Sequence, residues 1–415
     1  MALNAKRGVF LVLSGILILG LALAFERYPE MISELKAIIW GTAPTPQLSA
    51  FSLPRAVNSY SRYAEEAGWE PSKMRNTYAK IGSRRRIGSQ LGYPKKLERF
   101  RETIAINSRV TNAIVALAHE EYGDEARTTQ GDGTDLGRVR EALKHFVRDW
   151  SEEGREEREK TFRPILDVLK ESRPTDRQGA SVLIPGAGLG RLAWEISQLG
   201  YNTTAVEISP YMNLAHRFLL SPKTTTMPNQ HTIHPYSHWF SHQRTTDSLM
   251  RSITFPDVVP RLSDNLHLRE GDFLSLPTPK LPVLTQSTHS TSSEFPSSAE
   301  DIDAEEHGYD YIVTLFFIDT SLNILSTLQK IHSLLRSGGT WINLGPLLWT
   351  GGAASVMELS LDEMMEAIRM SGFAVHQSSD GVRGRKTVEC EYTADKNAMM
   401  KWVYQAEFWV ATKTR

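Results

Sequence analysis

The stretch SVLIPGAGLGRLAWEISQLGYNTTAVEIS, residues 181–209, decides the fold of this chain. An apolar run of strand length leads into Gly186, Gly188 and Gly190, an amphipathic helical pattern follows, and a second apolar run ends at Glu207. Glycines let the backbone approach a ligand, a helix N-terminus offers free N–H groups, and a carboxylate about 20 residues further on can accept ribose hydroxyls. The stretch therefore predicts a nucleotide-like cofactor, and NAD, FAD and S-adenosylmethionine all remain open at this point.

The rest of the chain from residue 180 onward repeats this alternation of short apolar runs and amphipathic helices, which is typical of a parallel sheet covered by helices. Residues 57–175 show helical apolar spacing and predict a helical N-terminal region. Residues 275–307 are rich in Pro, Ser and Thr, and we predict a disordered insertion there. The candidate strands are SVLIPG, NTTAVEIS, LHLREGDF, YDYIVTLFFID, TWINLGP and AEFWVAT.

The motifs after the glycines narrow the choice among these cofactors. REGDF supplies Asp272 and Phe273, which are placed to meet the edge and the face of an adenine. The fourth strand ends in FFIDT, then an amphipathic helix and RSGGTWINLGP follow. This order resembles the class I S-adenosylmethionine-dependent methyltransferases, whereas a nicotinamide-binding domain gives no reason for the last segment. No phosphate-binding lysine follows the glycines, so a P-loop is excluded. We predict an α/β fold, with a Rossmann-like doubly wound sheet over residues 180–415.

Five separate motifs make the resemblance more specific. VLIPGAGLGRLAWEI, FFIDT, GGTWINLGPLL, YTADKNAMMKWVY and HFVRDWSEEGREER together are similar to the carnosine N-methyltransferase family, over roughly residues 97–410. The resemblance implies an enzyme that uses S-adenosylmethionine to methylate an imidazole nitrogen of carnosine, giving anserine, or of a related histidine-containing dipeptide. It implies a small-molecule substrate and leaves a homodimer open.

The resemblance also implies the site residues. The cofactor positions are His145, Arg148, Gly186, Gly188, Glu207, Asp272, Phe273 and Leu315, and the substrate positions are Asp319, Thr350, Tyr392, Tyr404 and His238, with Asp319 as the catalytic residue.

Two of these positions depart from the family pattern. The family usually has glutamine where this chain has His145, and histidine where it has Thr350. The second departure keeps two alternatives open: a methyltransferase for another small molecule or for histidine within a peptide, and a non-catalytic cofactor-binding scaffold.

If the acceptor is an imidazole, the carboxylate of Asp319 can take part in the reaction. Methyl transfer from a sulfonium is an in-line displacement that needs alignment and a free lone pair on the acceptor nitrogen. A carboxylate can bind the proton on the other ring nitrogen and stabilise the cation that methylation creates. The alternative is that Asp319 caps the following helix, with Thr320 and Ser321 as neighbouring candidates.

Composition and the remaining motifs limit other functions. A net charge of −1 gives no support for nucleic acid as a partner, and the single Cys390 excludes internal disulfides and multi-cysteine metal sites. IGSRRRIG, residues 81–88, is predicted to be a solvated surface. His234, His238 and His242 recur every four residues and could bind zinc on one helical face. Methyl transfer needs no metal, so we predict none and leave His238 a substrate-side or structural role.

The N-terminus predicts a membrane association. VFLVLSGILILGLALAF, residues 9–25, carries no charge and follows Lys6 and Arg7. We therefore expect an anchor or signal segment over residues 1–40, a linker over residues 41–56, and a membrane-associated enzyme. The positive-inside tendency would send the chain across the membrane. The cofactor is made in the cytosol, so the catalytic domain is expected there, with the lumenal side left open.

Overall fold

The computed structural model of this chain describes residues 52–128, 133–278 and 308–414. Within these ranges no helix is both long and apolar enough to cross a membrane. This finding contradicts the predicted transmembrane segment and the membrane-associated localisation. Residues 9–25, on which that prediction rested, lie outside the described residues, as do residues 279–307 of the predicted insertion.

Helices form the described chain from Leu53 to Arg177, before the first strand of the sheet. The first of them begins at Leu53, inside the stretch predicted to be a linker, and Ser52 caps it by accepting a hydrogen bond from the N–H of Arg55. The longest one buries Leu97, Phe100, Ile104, Val110, Ile114 and Leu117 at the helical period that the sequence showed. The helices are α1 Leu53–Ser61, α2 Tyr63–Ala79, α3 Arg85–Gln90, α4 Tyr93–Tyr122, α5 Leu136–Trp150, α6 Arg155–Lys170 and α7 Pro174–Arg177.

The strands of the sheet that follows are β1 Ser181–Pro185, β2 Asn202–Glu207, β5 Leu266–Glu270, β6 Tyr309–Leu315, β7 Leu335–Gly345, β8 Phe373–Val375, β9 Lys386–Cys390 and β10 Tyr404–Lys413, and a separate hairpin pairs β3 His231–Ile233 with β4 Ile253–Phe255. The strand order is β5-β2-β1-β6-β7-β10-β8, and β9 also pairs with β10. The pairs from β5 to β7 are parallel, whereas β10 runs antiparallel to β7, β8 and β9.

Helices cover both faces of this sheet, so its central strand is buried on both sides. Along β1, Val182 and Ile184 pack with the apolar face of α6 on one side, and Leu183 packs with the following helices on the other. The remaining helices are α8 Arg191–Gln198, α9 Pro210–Leu220, α11 Ile324–Leu334 and α12 Leu361–Met370, which cover the sheet, and the short α10 Thr246–Leu249, which packs with the N-terminal helices. The predicted doubly wound α/β fold with an N-terminal helical region is confirmed.

The chain reverses its direction across the sheet between β1 and β6. In such sheets, ligands bind outside the carboxyl ends of the strands at this switch point. The glycine turn follows β1, Glu207 ends β2, Leu315 ends β6 and Gly345 ends β7. The predicted motifs therefore meet at one edge of the sheet.

Candidate active site

The glycine turn after β1 has a backbone that other residues adopt only with strain. Gly186, Gly188 and Gly190 have φ angles of 63°, 56° and 72°, in the left-handed region. A Cβ on Gly190 would lie 2.1 Å from Cε1 of His216, and one on Gly186 would lie 2.7 Å from the ring of Phe317. The first glycine is needed for a close approach of the FFIDT segment, and the last for the packing of α9 beneath the turn.

These contacts predict unequal costs for two alanine substitutions. A Cβ on Gly188 meets nothing closer than 3.9 Å, so Gly188→Ala should cost only the backbone strain, about 1–2 kcal/mol. Gly190→Ala adds the collision with the His216 ring and should cost about 3 kcal/mol or more. Urea denaturation of the two variants measures both costs. Equal costs would show that the His216 ring moves aside without penalty.

Glu207 ties the glycine turn to β2. Its side chain is buried; Oε2 accepts a hydrogen bond from the N–H of Gly188 at 2.8 Å, and Oε1 accepts one from the N–H of Ser209 at 2.8 Å. Burial raises the pKa of Glu207. A carboxylate has about four acceptor positions, so the two that these N–H groups leave can receive further donors.

A charged cluster on α5 faces the same turn. Arg148 Nη1 donates to Asp149 Oδ1 at 2.8 Å, and Nδ1 of His145 lies 3.5 Å from Asp149 Oδ2. All three side chains are buried. A Cβ on Gly188 would lie 3.9 Å from both Asp149 Oδ2 and His145 Nδ1, so the cluster lies directly against the turn. The structure thus brings the predicted residues His145 and Arg148 to the glycine turn, together with Asp149, which the sequence analysis missed.

Electrostatics keep Arg148 and Asp149 ionised. Burial by itself disfavours the charged guanidinium, but Asp149, Tyr392 and Glu157 raise the pKa of Arg148. Burial also opposes ionisation of Asp149, yet Arg148 and His145 hold the pKa of that carboxyl below its usual range. The guanidinium lies over the ring of Tyr392, with Cζ 4.5 Å from the ring centroid. Nη2 of Arg148 is buried and has no hydrogen-bond partner among the described residues, which leaves a donor for an anionic group.

Asp319 follows β6 at the same sheet edge. Its Oδ2 accepts a hydrogen bond from the N–H of Leu348 at 3.2 Å, and its backbone carbonyl accepts one from the N–H of Thr350 at 3.2 Å. Burial raises the pKa of Asp319 to about 6. The helix α11 is capped by Asn323, whose side chain accepts from the N–H of Ser326. Asp319 is therefore not the cap of that helix.

Aromatic rings connect Asp319 with the α5 cluster. Phe316 packs against Tyr392 and Tyr404, with ring centroids 4.5 and 5.5 Å apart. Burial, and after it the negative charge of Asp319, raise the pKa of Tyr404, so these two side chains interact electrostatically. Phe316 has a φ of 50°, and a Cβ on Gly345 would lie 3.2 Å from its backbone. A strained residue of this kind is typical of a functional site, and the sequence analysis did not single it out.

The other predicted site residues are more peripheral. Asp272 is exposed, and its Oδ1 accepts the N–H of Leu274, whereas Phe273 is buried and packs edge to face on Phe317, with ring centroids 5.4 Å apart. The side chain of Thr350 is exposed at the rim beside Asp319, and Leu315 is partly buried at the end of β6.

The histidine motif lies elsewhere. Burial, with Arg140 and Lys144 of α5, lowers the pKa of His238 to about 3. No hydrogen bond, ion pair or ring contact within the described residues joins His238 to Asp319, Tyr392 or Tyr404, and His238 lines a cavity of the helical region. His234, His238 and His242 are in a loop, so the helical face on which they could share a zinc ion does not form.

The fold and this edge of the sheet define the class. A parallel sheet with one reversed strand, β10, a glycine turn after β1 and an acid at the end of β2 are the features of a class I Rossmann-like methyltransferase. The sequence profile described as carnosine N-methyltransferase matches residues 125–415. The chain therefore belongs to the carnosine N-methyltransferase family, and it is a methyltransferase.

Two carnosine N-methyltransferases from other organisms agree with this assignment. The carnosine N-methyltransferase of Mus musculus is 31% identical over 338 residues, which cover 77% of this chain and 76% of the relative. That of Schizosaccharomyces pombe is 31% identical over 345 residues, covering 78% and 84%. Among solved structures, magnesium protoporphyrin IX methyltransferase from Synechocystis PCC 6803 matches with a TM-score of 0.33 at 11% identity, covering 73% of this chain and 99% of that one.

Proposed function

We propose that this enzyme transfers the methyl group of S-adenosylmethionine to an imidazole nitrogen of carnosine or of a related histidine-containing dipeptide. The observation that carries the proposal is a buried carboxylate, Asp319, which lies at the same sheet edge as the glycine turn and whose charge acts on Tyr404. The similarity to carnosine N-methyltransferases over most of the chain supports the same substrate class.

The residues around the glycine turn fit S-adenosylmethionine. Glu207 keeps acceptor positions for the two ribose hydroxyls, and Nη2 of Arg148, which no group in the described part of the chain accepts from, suits the carboxylate of the amino-acid end. Asp149 offers a charge for the ammonium, and Phe273 offers a ring face for the adenine, with Asp272 at its edge. Bound there, the cofactor supplies an electrophilic methyl group on a sulfonium.

The chain itself would orient the acceptor. Asp319 accepts the N–H of one imidazole nitrogen, which fixes the tautomer and leaves the lone pair of the other nitrogen free for attack. As the ring gains positive charge, the carboxylate stabilises it in a site from which Phe316, Tyr392 and Tyr404 exclude water. The methylated ring then loses its N–H proton to Asp319, whose pKa of about 6 allows release to solvent near neutral pH.

The test is methyl transfer by the full chain from labelled S-adenosylmethionine to carnosine, homocarnosine, free histidine and histidine-containing peptides. We expect anserine from carnosine, and loss of that product in Asp319→Ala. Cofactor binding without transfer to any imidazole acceptor would contradict the proposal and favour the non-catalytic scaffold.

The exposed Thr350 at the rim motivates a second candidate, a methyltransferase for histidine in a larger substrate. An exposed, small side chain beside Asp319 leaves room for an acceptor that extends out of the site. Preference for the peptides over carnosine, reversed in Thr350→His, would support this candidate.

A further inference from the structure

Glu157 of α6 lies where the α5 cluster meets the C-terminal segment of the site. Its side chain is 12% exposed, and Oε1 is 3.1 Å from Nε of Arg148. The same oxygen accepts the N–H of Thr393 at 2.8 Å, and Oε2 accepts the N–H of Ala394 at 3.4 Å. One carboxylate therefore contacts both the arginine that faces the glycine turn and the backbone that follows Tyr392.

The segment of residues 391–403, which we call the tyrosine segment, joins β9 to β10 and connects Tyr392 with Tyr404. It has a second acidic anchor in Asp395, whose carboxylate is 2.7 Å from Arg251 Nη2 and 2.9 Å from Gln243 Nε2. Both anchors hold the segment to the body of the protein, but the contacts of Asp395 do not include Arg148.

The backbone at the Glu157 anchor needs support. Thr393 has a φ of 49°, in the left-handed region where a β-branched residue is strained. Hydrogen bonds from two successive N–H groups to a charged acceptor offset this strain. The turn places the ring of Tyr392 against the guanidinium of Arg148. It also places the hydroxyl oxygen of Tyr392 3.5 Å from Nε2 of His145.

We propose that Glu157 is a positioning residue that sets Arg148 for the cofactor and Tyr392 for the acceptor through the same carboxylate. The proposal rests on the proposed function for the identity of the two ligands. The link means that the cofactor side and the acceptor side of the site are held together and are not assembled independently. Glu157 touches neither reacting group.

Three variants of the full chain separate the two contacts. Glu157→Gln removes the charge that pairs with Arg148 but keeps an amide oxygen that can accept the N–H of Thr393. Glu157→Ala removes both contacts. Asp395→Asn is the matched control, because it weakens the other anchor of the tyrosine segment without touching Arg148.

Three measurements distinguish the variants. Calorimetry gives the affinity for S-adenosylhomocysteine, and steady-state kinetics gives KM and kcat for carnosine. Trypsin, added in the absence of ligands, reports how readily the tyrosine segment is cleaved at the exposed Lys396 and Lys401. Glu157→Gln should weaken S-adenosylhomocysteine binding about tenfold, the value of one charge-assisted contact, with the KM for carnosine within about twofold. Glu157→Ala should weaken S-adenosylhomocysteine binding to at least the same extent, raise the KM for carnosine about fivefold, and speed cleavage.

Asp395→Asn should raise the KM for carnosine and speed cleavage, while S-adenosylhomocysteine binding stays within about twofold of the parent. Unchanged cofactor binding in Glu157→Gln, or an equal loss in Asp395→Asn, would overturn the proposal, because the effect would then be absent or merely structural. If the parent chain binds S-adenosylhomocysteine but does not methylate carnosine, the proposed function fails. The calorimetry and the cleavage then still decide the role of Glu157.

Discussion

Asp319→Asn is expected to lower kcat for the imidazole acceptor by about 100-fold or more while S-adenosylhomocysteine binding stays unchanged. The amide oxygen can still accept the N–H of Leu348, so the loop after β7 keeps its anchor. The negative charge that stabilises the developing imidazolium is lost, and removal of one such preorganised group costs about 10²–10³ in kcat. Single-turnover kinetics with saturating cofactor measures the chemical step, and calorimetry verifies the cofactor site. A change confined to KM would contradict a catalytic role.

The same substitution is expected to stabilise the protein at alkaline pH. Burial raises the pKa of Asp319 from 3.8 to about 6, so the folded state binds its proton more tightly than the unfolded state does. The ionised carboxylate lowers the free energy of unfolding. This loss of stability is absent well below pH 3.8, grows as the pH rises to about 6, and is constant above that pH. A difference of about 2 in pKa corresponds to about 3 kcal/mol.

Asp319→Asn should therefore gain about 3 kcal/mol at pH 8 and about 1 kcal/mol near pH 4.5. Urea denaturation at the two pH values measures the gain, and a gain that is independent of pH would contradict the assignment to this carboxylate. Loss of activity with a gain in stability would show that the fold bears the cost of a buried charge for its function.

The central strands could be predicted from the sequence because both faces of each are buried. Such a strand is a continuous apolar run, so the local pattern is sufficient to identify it as a strand. The β3–β4 hairpin, β8 and β9 were not predicted. These strands are short and mostly half-exposed, and β8 and β9 exist because β10 offers them an edge. Their pairing depends on a partner that lies elsewhere in the chain, and a local pattern does not contain that information.

The same limit applies to the site. Arg148, Glu207 and Asp319 lie in motifs that a single stretch of sequence reveals. Glu157 acquires its place through a residue 236 positions away, and Phe316 through the close approach of the β7 terminus. Glu157 lies in the quoted stretch HFVRDWSEEGREER, but a charged residue on a helix is ordinarily solvated, so the motif alone did not distinguish Glu157 from the other acidic residues beside it. The histidine motif shows why spacing alone is a weak signal: His234, His238 and His242 recur every four residues, but they lie in a loop and share no helical face.

Glu207→Gln is expected to weaken S-adenosylhomocysteine binding about 100-fold. The two carboxylate oxygens accept N–H groups from different segments, Gly188 on one side and Ser209 on the other. An amide has one oxygen, so whichever way it is turned, its NH₂ group faces one of these N–H donors. The glycine turn must shift, and one acceptor for the ribose hydroxyls is lost with it. A buried donor left without its partner and a lost charged acceptor each cost about 1–3 kcal/mol, and 2.7 kcal/mol is about 100-fold.

Glu270→Gln is the matched control, because Glu270 is the register partner of Glu207 on β5 and pairs with Arg217 near the surface. Its substitution should leave S-adenosylhomocysteine binding within about twofold. Equal losses in both variants would mean that charge at this edge of the sheet, rather than the two directed acceptors of Glu207, determines affinity. Glu207→Gln should also fail to gain the stability expected of Asp319→Asn, although burial raises the pKa of both carboxyls. Asp319 accepts one backbone N–H on one oxygen, which asparagine can replace, whereas Glu207 accepts two on opposite oxygens, which glutamine cannot.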